Sequence, residues 1–124
     1  MDDTPVILLE MTRGDTAEWD VKVRHPVTKA PTDLTDAEIK FVAKRQFDDP
    51  DGEAVINLSI GSGVTVVGAP ANGDVHLKVP EAQTDSLEDD TVTLHFDFQV
   101  KKPGVSRWTP SRGLLFVYPD VARA

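Results

Sequence analysis

The chain has 124 residues, a formal net charge of −8 and no cysteine, which is the length of a single domain spanning 1–124 that can bury roughly two-thirds of its unfolded surface without staples. The missing cysteines exclude thiol nucleophiles, thiolate metal ligands and disulfides, in keeping with folding in a reducing cytoplasm. Net acidity argues against nonspecific nucleic-acid binding, no signal peptide is visible, and no apolar run approaches the roughly 20 residues of a membrane helix, so neither nucleic acid nor membrane is an expected partner.

Strand-like segments separated by turn signals follow one another along the chain. Residues Pro5 to Met11 are apolar enough for a first strand, turned by Arg13-Gly14-Asp15. From Thr16 to Arg24, Ala17, Trp19, Val21 and Val23 share one parity, so Trp19 is expected in the core. A loop with two prolines leads to a strand over Ala37–Arg45, in which Ile39, Phe41 and Ala43 alternate with Glu38, Lys40 and Val42. The acidic turn Asp48–Gly52 precedes a strand over Ala54–Ile60, and Gly61-Ser62-Gly63 turns into a short strand, Val64 to Val67. Beyond the turn Gly68–Asp74, Val75, Leu77 and Val79 alternate with polar residues, and Pro80 to Leu87 is the one expected helical turn.

The clearest strand is T-V-T-L-H-F-D-F-Q-V, Thr91 to Val100: Val92, Leu94, Phe96, Phe98 and Val100 on one face, Thr93, His95, Asp97 and Gln99 on the other. A last strand covers Gly113 to Tyr118. Pro110 lacks a ladder N–H, so Arg107–Pro110 should be an edge, a bulge or a loop. The expected fold is all-β, an immunoglobulin-like antiparallel sandwich of seven to nine short strands with a small barrel as the alternative.

Charge is unevenly placed. From Lys101 onward five basic residues (Lys101, Lys102, Arg107, Arg112, Arg123) face one acid, Asp120, a net +4 that leaves −12 for the rest. This basic end is a candidate docking surface for an acidic partner, with Trp108 in its midst.

Chemical motifs are tested and set aside. His25, His76 and His95 supply no metal-ligand spacing, though His76 and His95 would be near one another if their strands were neighbours. Aligning Asp49, Asp51 and Gly52 to positions 3, 5 and 6 of a calcium loop puts Phe47 and Leu58 where oxygen ligands are required. Arg13-Gly14-Asp15 spells an integrin-binding tripeptide, but its glycine reads as a tight turn, and the sequon at Asn57 lies mid-strand. The Gly104–Trp108 stretch is no nucleophile elbow, and Gly61-Ser62-Gly63 lacks the rest of a dinucleotide fingerprint. The chain is therefore expected to be no enzyme, with no catalytic, cofactor-binding or metal residue assigned.

The order of motifs carries a resemblance. A turn G-D-T (Gly14–Thr16) leads into an aromatic-bearing strand, and D-L-T (Asp33–Thr35) leads into I-K-F-V-A-K-R. G-D-V-H-L-K-V-P is followed by T-D-S-L (Thr84–Leu87), H-F-D-F-Q-V, a basic turn and G-L-L-F-V. Over roughly residues 7 to 121 this resembles the immunoglobulin-like domain at the amino end of tailed-phage baseplate upper proteins and related small phage tail or fibre proteins. The resemblance implies a non-enzymatic virion subunit, assembled in the host bacterial cytoplasm, that contacts other phage structural proteins and forms a homo-oligomer within a symmetric assembly. Because the sequence stops at Ala124, where relatives continue into a fibre or linker, a stand-alone subunit or adaptor is expected. Lys101, Lys102, Arg107, Trp108 and Arg112 are the expected interaction surface. The alternative is a carbohydrate- or host-surface-binding module of the same fold, for which an exposed Trp108 beside Tyr118 would be the stacking platform.

Overall fold

Alternating strand patterns of this kind leave one apolar face per strand to be covered, and the structure, a computed structural model, covers them with a single folded sheet. It describes residues 6–24, 28–46, 48–84, 87, 90–104 and 108–119, without the side chains of Val6, Asp51 and residues 108–111. The strands are β1 (Val6–Thr12), β2 (Ala17–Lys22), β3 (Glu38–Lys44), β4 (Ile56–Ile60), β5 (Gly63–Val66), β6 (Asp74–Val79), β7 (Val92–Lys101) and β8 (Trp108–Tyr118). They lie in the order β1-β8-β7-β3-β4-β5-β6-β2. The helical turn expected near 80–87 is a 3-10 turn at Glu81–Gln83, and two more occur at Asp51–Glu53 and Pro70–Asn72.

The fold is all-β, and its sheet is mixed rather than purely antiparallel. Strand β1 runs parallel to β8 from Val6↔Arg112 to Thr12↔Tyr118. β1 passes straight into β2 at the far end of the sheet and, among the described residues, pairs only with the carboxy-terminal strand. Strands β4 and β5 are in effect one strand broken at Gly61-Ser62, and the pairs Ser59↔Gly63 and Ile60↔Val64 carry the sheet round a corner. A Cβ on Gly63, whose φ is +97°, would lie 2.6 Å from the Leu58 side chain and 2.8 Å from the Lys78 carbonyl oxygen, so the corner requires glycine.

Folding at this corner brings β2 and β6 over β3 and β7. The Phe41 ring stacks on Phe96 at 5.2 Å and meets Trp19 across the interior at 6.0 Å. All five apolar residues of β7 are buried, as their alternation requires, along with Ile39, Leu58, Leu77 and Leu115. The chain places a bulge at Pro110: the β7–β8 register shifts between Phe98↔Ser111 and Val100↔Trp108, so two residues stand opposite Gln99.

The ends of the core are closed by loops. At one end Leu34 is buried, its N–H donating to the Pro70 carbonyl, while the Val23 N–H donates to the Gly73 carbonyl. At the other end Arg13, Thr84 and Leu87 are buried together. The Gln83 Oε1 accepts the Asn57 N–H at 3.1 Å, covering part of the edge of β4.

Candidate functional site

Two strands end the ladder, β1 and β2, and they are joined directly by the turn through Arg13 and Gly14. They lie side by side without pairing, their Cα traces more than 8 Å apart over most of their length. Directly paired strands stand about 5 Å apart, so the opening is too wide for a ladder between them. A cavity of 420 Å3 opens through this seam, lined by Ile7 and Leu9 of β1, Trp19 and Val21 of β2, and Phe41 and Phe96 behind them, with Asp20 and Lys22 at its lip.

Burial records the same opening. Met11, next to the turn, is buried, whereas Ile7 and Leu9 farther along β1 are only half-buried. On β2, Ala17, Trp19 and Val21 are half-buried, and Val23, just past the strand, is fully covered. Trp19 therefore occupies the inward face that its parity predicts, but as a wall of the seam rather than as sealed core. On the outer face of β1, Leu8 is 63% exposed beside half-buried Leu114, and its neighbour row pairs Glu10 with Phe116. Strand β1 thus lies at a sheet edge with an apolar inner face and an outer face on which exposed Leu8 stands beside Glu10.

The outward side of β2 is charged in register with β6. Glu18 stands opposite Lys78, Asp20 opposite His76 and Lys22 opposite Asp74, the last pair 3.7 Å apart. His76 bridges both acids, with Nδ1 2.8 Å from Asp20 Oδ1 and Nε2 3.1 Å from Glu18 Oε1. Carboxylates only accept, so engaging both ring nitrogens requires both to carry protons. The Asp20 hydrogen bond first, and Glu18 second, accordingly raise the His76 pKa above its ordinary value.

Because the folded-state value is raised, the stabilisation is fully present below the ordinary histidine range and fades as pH rises through the folded midpoint. An NMR titration should place the His76 midpoint above 6.5, the usual histidine value. Asp20→Asn should lower it more than Glu18→Gln does. The stability difference between the native chain and His76→Gln should be largest near pH 5–6 and shrink above the midpoint.

The residues expected to form a basic docking surface are partly dispersed. Lys101 stands opposite Glu38 at the end of β7, and with Lys102, Pro103, Asp36 and Glu38 it lines a shallow 300 Å3 pocket. Asp33, held below the usual carboxylate range mainly by hydrogen bonds from Thr35, also feels Lys102. Arg112 stands opposite Asp97, four residues back along β7 from Lys101, or about 13 Å. Lys101 and Lys102 therefore come together, each near a carboxylate, and Arg112 stands apart. Arg107 and the Trp108 side chain lie outside the described residues, as does His25.

The remaining motifs resolve into structure. Arg13 of the Arg13-Gly14-Asp15 turn is 2% exposed, its Nη1 donating to the Leu87 carbonyl at 2.8 Å while the Gly14 N–H donates to Thr84 Oγ1. A buried guanidinium is not presented to a receptor. His76 and His95 lie on β6 and β7, which are not neighbours in the sheet. In the acidic loop, Asp49 Oδ2 accepts the Gln46 N–H and the Asp49 carbonyl accepts from Lys44 Nζ, which is turn chemistry.

Compared with known proteins, the chain matches no family model and no curated sequence. The seam was not legible in the sequence. Its only signal there is a first strand, V-I-L-L-E-M, whose consecutive apolar residues leave Leu8 no inward place.

Proposed function

We propose that this protein is a non-enzymatic structural component of a bacteriophage virion, in the tail, baseplate or fibre attachment, that works by contacting other virion proteins and further copies of itself. The phage assignment rests on the resemblance in motif order. The observation that carries the contact role is β1, an edge strand with Ile7 and Leu9 half-buried on one face and Leu8 exposed on the other. A soluble monomer ordinarily blunts such an edge with charge, proline or a covering loop. Here Glu10 is the one charged residue of the strand and Leu8 is left exposed, which suits a strand that is covered on assembly.

Sedimentation velocity tests the reading. The expected result is self-association to species above 13.6 kDa, weakened about tenfold by Leu8→Lys, since burying a leucine stabilises by roughly 1.5–3 kcal/mol. Reversing Lys101, Lys102 and Arg112 to glutamate should weaken it further at low salt. A monomer at every concentration, or oligomers indifferent to both sets of changes, overturns it.

A further inference from the structure

We infer that the seam between β1 and β2 is an acceptor site for one extended strand of a partner polypeptide, apolar on one parity and basic on the other. The inference deepens the assembly reading by naming the surface and the partner's chemistry, and its test is peptide binding rather than oligomeric state.

Three features of the seam converge on a strand. Among the described residues the ladder ends at both of its sides, so β1 and β2 each turn a backbone edge with no strand partner toward the same gap. A strand seated between two others needs roughly 4.8 Å to each neighbour, and β1 and β2 stand more than 8 Å apart over most of their length, too far to pair with each other. The floor is apolar and stripe-like, with Ile7 and Leu9 on one wall and Trp19 and Val21 on the other. Side chains at alternate positions of an added strand would project onto that floor, and its backbone would hydrogen-bond to both edges.

The lip sets the chemistry of the other parity. Outward residues of a strand in the gap would be flanked by Leu8 and Glu10 of β1 and by Glu18, Asp20 and Lys22 of β2. Three carboxylates against one ammonium and the protonated His76 that spans Glu18 and Asp20 leave this lip net negative, which favours lysine or arginine there over acids. A free apolar ligand could occupy the floor, but it would leave both backbone edges unpaired, which is why the strand is preferred.

The probe is the heptapeptide acetyl-KVKVKVK-amide, about the length of β1, titrated into the full chain at low salt. Amide hydrogen exchange is expected to slow in both β1 and β2 on one-to-one binding. In a Trp108→Phe background, where Trp19 is the sole tryptophan, emission should shift to the blue as water leaves the seam. The EVEVEVE counterpart should bind at least roughly tenfold more weakly, and N-methylation of alternate amides should abolish binding. No protection of either edge at millimolar peptide overturns the inference. Equal binding of the N-methylated peptide does so too, marking an apolar-ligand pocket instead, and equal binding of the glutamate peptide overturns the basic parity.

Discussion

Gly113→Ala will strip β1 from the sheet. Gly113 pairs with Ile7 in the parallel β1–β8 ladder, and a Cβ there would sit on the Ile7 carbonyl oxygen, with the Ile7 carbonyl carbon and nitrogen each 2.7 Å away. The obstacle is backbone, so no side-chain rotation relieves it. The strand must shift, at a cost of about 3 kcal/mol or more, above the usual range for an added methyl group. Chemical denaturation should show this loss, and amide exchange should show it concentrated in β1 and β8. Gly52→Ala is the matched control: nothing lies within 4 Å of its would-be Cβ, and stability should change by less than about 1 kcal/mol. If Gly113→Ala leaves β1 protected, the close approach of the two backbones is wrong. Because β1 is one wall of the seam, the same variant should also lose the KVKVKVK peptide.

Phe41→Ala should be at least as damaging, for a different reason. The Phe41 ring is buried between Phe96, stacked at 5.2 Å, and Trp19 at 6.0 Å. It is one of the core contacts between the folded-over part of the sheet and β3 and β7. Truncation removes the transfer term and leaves a cavity, about 3–5 kcal/mol, with aromatic pairing adding roughly 1 kcal/mol. That is a large share of the 5–15 kcal/mol typical of a domain. The melting temperature should fall by roughly 10–20 °C, and Trp19 emission should move to the red as its shield is lost. Phe41→Leu should cost less than half as much. A small loss for Phe41→Ala would mean that the two parts of the sheet are held elsewhere.

Between them these two positions show what was legible. Phe41 could be read as core from its strand's alternation with Glu38 and Lys40, because a strand's two faces follow directly from a two-residue period. Gly113 reads in the sequence only as the start of a strand; its necessity comes from Ile7, more than a hundred residues earlier. Arg13 is similar. In the sequence it reads only as part of a tight turn, yet the approach of Leu87 and Thr84 buries it and gives its guanidinium a carbonyl partner. His76 and Asp20 each read as surface polar residues on alternating strands, and only the β2–β6 register makes them a pair.

The sequence alone determined the approximate place of each strand, the inward parity of β2, β6 and β7, and that Pro110 interrupts the ladder. These are local consequences of side-chain alternation and of a missing N–H. By contrast, β8 starts at Trp108 rather than at the expected Gly113, and Val42 is buried although it shares parity with Glu38 and Lys40. The tertiary structure decided which strands became neighbours, that β1 and β8 run parallel, and that β1 and β2 were left as facing, unpaired edges. Pairing partners are chosen by global closure of the core, to which any one strand's pattern is blind. The apolar seam is the residue of that choice: two strands with core-type faces, joined by too short a turn to escape each other, and with no third strand among the described residues to fill the space between them.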